Sequence, residues 1–107
     1  MGRQKNPLIL TIDDEDHIRN SFQLFLEDHD FDVIEAKNGR EGLEIFRRKK
    51  PDLVLCDLRM PEMDGLEVLQ TIRDESPDTP IVVVSGTGII GDAIEAIHRG
   101  AWNYLLK

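Results

Sequence analysis

Short apolar runs alternate along this chain with longer stretches in which apolar residues recur every three or four positions. Leu8-Ile9-Leu10-Thr11-Ile12, Leu53-Val54-Leu55-Cys56 and Ile81-Val82-Val83-Val84 are nearly continuous, the pattern of parallel strands covered on both faces. Residues 31–36 alternate instead, with Asp32 and Glu35 set among apolar neighbours, which predicts an edge strand. Residues 102–106 are a fifth strand candidate.

The intervening stretches read as helices. Ile18, Phe22, Phe25 and Leu26 fall on one face of the first, opposite Glu27 and Arg19, and that face is expected to meet the core. Leu43 and Phe46 mark a second helix, opened by Asn38 with Glu41 three residues on, a variant of the capping box. Asp64 and Glu67 repeat the arrangement ahead of Leu66, Leu69 and Ile72. Ile90, Ala93, Ile94 and Ile97 give a fourth helix, with Gly100 in the usual place for a glycine that ends one. Regular alternation of strand and helix predicts an open α/β parallel sheet with right-handed crossovers.

In such sheets ligands bind beyond the carboxyl ends of the strands. There the sequence places Asp13-Asp14-Glu15 after the first strand, Asp57 after the third, Ser85-Gly86 after the fourth and Lys107 after the fifth. Taken alone, each has an ordinary explanation: acidic residues favour a helix N-terminus, Asp and Ser-Gly end strands in turns, and a terminal lysine is usually solvated. Together they put carboxylates, a hydroxyl and an ammonium on one edge. Clustered carboxylates repel, and a hard divalent cation relieves the repulsion. Mg²⁺ favours one or two carboxylates completed by waters and phosphate oxygens. An Asp carboxylate can also attack a phosphoryl group and hold it as an acyl phosphate, a reaction governed by positioning and electrostatics.

Composition narrows the partners. The chain has 107 residues, enough for one domain, and its formal charge of −8 argues against direct nucleic-acid binding, which needs clustered Lys and Arg. The lone Cys56 excludes an intrachain disulfide and a multi-cysteine metal site; a buried reduced thiol is expected. No apolar run reaches membrane-spanning length, and no signal-peptide core follows Arg3 and Lys5, so a soluble cytoplasmic protein is expected. His17, His29 and His98 lie in helical stretches without acidic or Cys partners at ligand spacing and read as surface residues.

Asp13-Asp14, Asp57 followed by Met60-Pro61 and Asp64-Gly65, then Ser85-Gly86, Tyr104 and Lys107 resemble the signature of the receiver domains of bacterial two-component response regulators. The resemblance runs through essentially the whole chain in order. It implies a flavodoxin-like, doubly wound, five-stranded parallel sheet of order 2-1-3-4-5. It implies that Asp57 is the phosphoacceptor and that Asp14 is a direct Mg²⁺ ligand. Asp13 would hold the ion mainly through water, and Asp57 and the backbone carbonyl of Arg59 would complete the protein ligands. Ser85 would hydrogen-bond the phosphoryl group, Lys107 would pair with it, and Tyr104 would be a switch aromatic moving with Ser85. Gly86, Gly88 and Gly91 would leave the loop after the fourth strand free to move, and Gly65 or a neighbour would give the tight path into the third helix.

By the same resemblance, the expected partners are a cognate sensor histidine kinase and an output domain or downstream protein; a homodimer, in which a second copy covers the face of an absent fifth helix, is an open alternative. The output would be controlled by the surface of the fourth helix and fifth strand. Such a domain catalyses only its own aspartyl phosphorylation and dephosphorylation. The family continues past the lysine with a proline and a fifth helix, whereas these residues stop at Lys107, so a receiver of residues 1–107 without fifth helix or output domain is expected. Phosphatases of the haloacid dehalogenase type use similar groups, but they need Asp-x-Asp after the first strand, and here Asp13 is followed by Asp14 and Glu15. A receiver used only for docking is the remaining alternative, and labelling of Asp57 separates it.

Overall fold

The structure, a computed structural model, describes residues 6–86 and 90–106. Gly88 and Lys107, both singled out above, lie outside the described residues. The elements run β1 (Leu8–Ile12), α1 (Asp16–Asp28), β2 (Asp32–Ala36), α2 (Gly39–Lys49), β3 (Leu53–Asp57), α3 (Gly65–Glu75), β4 (Ile81–Ser85), α4 (Ile90–His98) and β5 (Asn103–Leu106). All strand pairs are parallel, in the order β2-β1-β3-β4-β5. The alternating segment is indeed an edge strand, and the continuous apolar runs are central. Four helices are present among the described residues.

Period-2 alternation divides the central strands between two layers. Leu10, Ile12, Val54, Cys56, Ile81 and Val83 point into one buried cluster with Leu43, Phe46, Val68, Leu69, Ile72 and Ala96 of α2, α3 and α4. On the other face, Phe22 of α1 joins Thr11, Leu55 and Val84 around a small internal space. Local chemistry sets the helix boundaries. Asn38 accepts a hydrogen bond from the Glu41 amide at 2.8 Å and Asp64 from that of Glu67 at 3.0 Å, satisfying N–H groups that helix starts leave orphaned. The reach-back of Glu41 goes to the amide of Lys37, one residue before the cap. Gly100, at φ +106°, closes α4: its amide donates to Ile97 O, and the Ala101 amide to Ala96 O. That pair of bonds is a Schellman ending, which needs the left-handed backbone glycine permits.

Two helices sit differently from the expectation. In α1, Phe25 is 62% exposed and stacks on His29 with ring centroids 4.3 Å apart, while the Arg19 side chain is only 11% exposed. The helix is turned so that Arg19, Phe22 and Leu26 face inward. At 3.6 residues per turn Arg19 lies about 20° from Leu26, so it shares the inner stripe once its charge is paired. In α4, Ala96 is fully buried while Ile94 and Ile97 are 53% and 47% exposed. The helix packs through its small residues, which allow close approach, and turns these isoleucines outward.

Candidate functional site

β1 and β3 end side by side, and their next residues build the site. Asp13 and Asp57 are both 3% exposed, and Asp14 and Glu15 are exposed. One carboxylate oxygen from each of Asp13, Asp14, Glu15 and Asp57 lies within 4.8 Å of the others. Asp13 is held by its main chain, with its amide donating to Ala36 O at 3.1 Å. One of its carboxylate oxygens accepts from the Glu15 amide at 2.9 Å. Glu15 is the N-terminal cap of α1 without a side-chain capping bond, so this acidic run faces the cluster instead of closing the helix end.

Asp57 ends β3 opposite Val84. The loop beyond it is anchored by Leu58 and Met60, 1% and 8% exposed, by the Leu58 amide on Val84 O, and by the Gly65 amide on Leu58 O. A Cβ on Gly65 would stand 2.2 Å from Asp57 O and 2.7 Å from Leu58 Cα; only glycine allows α3 to start this close to the acceptor strand. Ser85 ends β4, wholly buried. Tyr104 pairs in register with Val83 and packs half-buried on the core, its hydroxyl buried and, among the described residues, without a hydrogen-bond partner.

Oxygens on one octahedral Mg²⁺, each about 2.1 Å from the ion, lie at most ~4.2 Å apart. A carboxylate spread reaching 4.8 Å therefore suits an ion held directly by one or two of these groups and through water by the rest. The hard oxygen donor set fits Mg²⁺ in chemistry as well. Glu15 also belongs to this cluster, beyond the ligand set that the resemblance implies; its place directly after Asp13-Asp14 is the sequence signal for it.

Around the cluster lie cations and a thiol. Arg19 donates to Asp13 O at 2.6 Å and to Glu35 at 3.4 Å, and also pairs with Asp16. Its side chain was expected to point to solvent. The Arg59 guanidinium turns to Asp92 of α4, whose hydrogen bond and charge raise its pKa. Burial, followed by the charges of Asp57, Asp13 and Asp64, pushes the Cys56 thiol well up, so it stays protonated and unreactive. His17, His29 and His98 are exposed; none is among the four clustered residues, although His17 Nε2 lies 3.9 Å from Glu15 Oε2 at its edge.

A family model for the response regulator receiver domain matches residues 9–107. The chemotaxis protein CheY of Listeria monocytogenes is 37% identical over 100 residues, covering 92% of this chain and 84% of that protein. The regulatory protein LuxO of Vibrio cholerae is 36% identical over 96 residues, 90% of this chain. The chain spans only 21% of the length of LuxO and 22% of AtoC of Escherichia coli. Among solved structures, a receiver domain protein from Clostridium thermocellum superposes with a TM-score of 0.90 at 34% identity, over 94% of this chain and 82% of that one. The strand order, the carboxylates at the strand ends and these similarities agree, and the chain belongs to the response regulator receiver domain family, the signalling domain of two-component systems.

Proposed function

We propose that Asp57 is the phosphoacceptor of a Mg²⁺-dependent switch. The observation that carries this reading is the placement of Asp57: a nearly inaccessible carboxylate at the end of an apolar strand, within 4.8 Å of three other carboxylates. Asp14 and Asp57 would hold the ion directly with the backbone carbonyl of Arg59, and Asp13 would hold it mainly through water. Bound there, Mg²⁺ supplies neutralising charge to the phosphoryl oxygens and to the carboxylates.

In the transfer, an Asp57 oxygen attacks the phosphorus of a phosphohistidine on a sensor kinase. The P–N bond breaks with its electron pair left on the imidazole, and an acyl phosphate forms on Asp57. Ser85, buried at the end of β4, would donate its hydroxyl to the phosphoryl group. Lys107 would pair with that group, a role resting on its position after β5 in the sequence. The phosphoryl group shifts the domain only through contacts that differ between two arrangements, and Ser85 and Lys107 provide them. Tyr104 suits the responding part: it packs half-buried on the core beside β4, and among the described residues its hydroxyl has no hydrogen-bond partner.

The output would be read from α4 and β5, where Ile94, Ile97, Trp102 and Leu106 are exposed apolar residues of the kind that interfaces bury. An output region or separate protein in the cytoplasm would dock there. Acetyl phosphate tests the chemistry. Intact mass is expected to show one phosphoryl group added in the presence of Mg²⁺, and none with a chelator or in Asp57→Asn. Labelling that persists in either case would overturn the assignment.

A further inference from the structure

We propose that Arg19 is the positioning residue of the metal-binding run: its guanidinium fixes the main chain of Asp13 so that the carboxylates of residues 13–15 stay gathered. The proposal rests on the reading that this cluster holds Mg²⁺. Arg19 lies on α1 with its side chain 11% exposed, and burying a guanidinium is unfavourable unless its donors are matched. Its donors reach three parts of the molecule. Nη1 donates to the carbonyl of Asp13 at 2.6 Å, Nε to Glu35 of β2 at 3.4 Å, and Nη2 to Asp16 in the first turn of α1. A planar fork can join three such acceptors at once, and a lysine ammonium on a flexible stem cannot hold the same geometry.

These contacts complete the fixation of Asp13. Its amide is tied to Ala36 of β2, its carbonyl to Arg19, and one carboxylate oxygen to the Glu15 amide. With both flanking peptides held, the direction of the Asp13 side chain follows from the backbone. α1 gives up burial of Phe25, 62% exposed, in the orientation that brings Arg19 inward.

Charge and position act in opposite directions here, and this makes the role testable. Arg19 sits between the carboxylates of Asp16 and Glu35. Removing its positive charge leaves the surroundings more negative, which by itself tightens cation binding. Loss of positioning weakens it, by about 10–100-fold where partners of metal ligands have been removed.

The experiment is a Mg²⁺ titration of the protein followed by calorimetry and by the backbone amide signals of Asp14 and Glu15, with wild type, Arg19→Met and Arg19→Lys at a temperature where each is folded. Positioning predicts that Kd rises at least about tenfold in both variants, because Lys keeps the charge and loses the fork. It also predicts that the Asp14 and Glu15 signals shift before metal is added. Should Arg19→Met fail to fold, Arg19→Lys alone carries the comparison. A Kd that is unchanged or lower in Arg19→Lys, whatever its melting temperature, overturns the proposal and leaves Arg19 a stabilising ion pair. A wild type that binds no Mg²⁺ overturns instead the metal reading on which the proposal stands.

Discussion

Arg59 Nη2 lies 2.7 Å from both carboxylate oxygens of Asp92, joining the loop two residues beyond Asp57 to the first turn of α4. Asp92 is the more enclosed partner, its side chain 14% exposed against 54% for Arg59. Whatever displaces the loop after β3 thus acts directly on the start of α4, through a contact between residues 33 apart in the chain.

Asp92→Asn and Arg59→Ala are therefore expected to loosen the start of α4 with little effect on global stability, since a half-exposed pair contributes modestly. Hydrogen exchange should quicken at the amides of Asp92 and Ala93 while the midpoint of global unfolding barely moves. Wild type in about 1 M salt, where charges are screened beyond roughly 3 Å, should shift the same way. Unchanged exchange in both variants would mean that the pair does not restrain the helix.

Gly65 and Gly91 make a matched pair of tests. A Cβ at Gly65 meets backbone at 2.2 Å, whereas at Gly91 nothing among the described residues lies within 4 Å. Gly65→Ala is expected to destabilise by about 1–3 kcal/mol, the usual cost of overpacking, and to slow labelling of Asp57 because Asp57 O is the atom displaced. Gly91→Ala should be neutral or stabilising by up to about 1 kcal/mol, as for alanine in a helix. Urea unfolding of the two variants beside wild type measures both, and equal effects would contradict the close approach of α3 to β3.

What could be read from the sequence depended on the range of the cause. The β1 run and the caps at Asn38 and Asp64 are decided by neighbouring residues, and they stand where the pattern put them. Asp13, Asp14 and Asp57 were legible because alternating α/β order alone brings strand ends to one edge. The hydrophobic stripe of α1 places Arg19 opposite the core, because it leaves no room for a guanidinium; its inward position needs Glu35, sixteen residues on and in another element. The outward isoleucines of α4 and the Arg59–Asp92 contact likewise depend on packing between elements that the sequence pattern does not encode.

Arg47 and Glu75 join α2 to α3, with Arg47 Nη2 2.5 Å from Glu75 Oε2. The hydrogen bond from Arg47, assisted by its charge and opposed by desolvation, holds the Glu75 carboxyl below its ordinary value. A carboxylate depressed in the folded state contributes stability above its unfolded pKa, and that contribution is lost as pH falls through the lower folded value. Glu75→Gln should therefore lower the melting temperature slightly at pH 7, as for an exposed pair, with the difference from wild type shrinking as pH falls below the ordinary Glu value and lost once pH passes below the depressed folded value. A difference that stays constant across this range would assign the effect to packing.

Metal linkage gives the most direct test of the acidic cluster. If Mg²⁺ binds only the folded protein, it raises stability by mass action, about 2.7 kcal/mol at a hundredfold excess over Kd. Without metal, carboxylates gathered within 4.8 Å of one another repel, and removing one charge is expected to relieve part of that repulsion. Asp14→Asn is the cleaner variant because Asp14 is exposed and caps nothing. Asp13→Asn keeps an oxygen able to accept from the Glu15 amide, the bond seen at 2.9 Å. Both variants should melt higher than wild type without metal, and neither should gain from Mg²⁺. Variants less stable than wild type in chelator would mean that these carboxylates serve the start of α1. A retained Mg²⁺ response in Asp14→Asn would remove it from the ligand set.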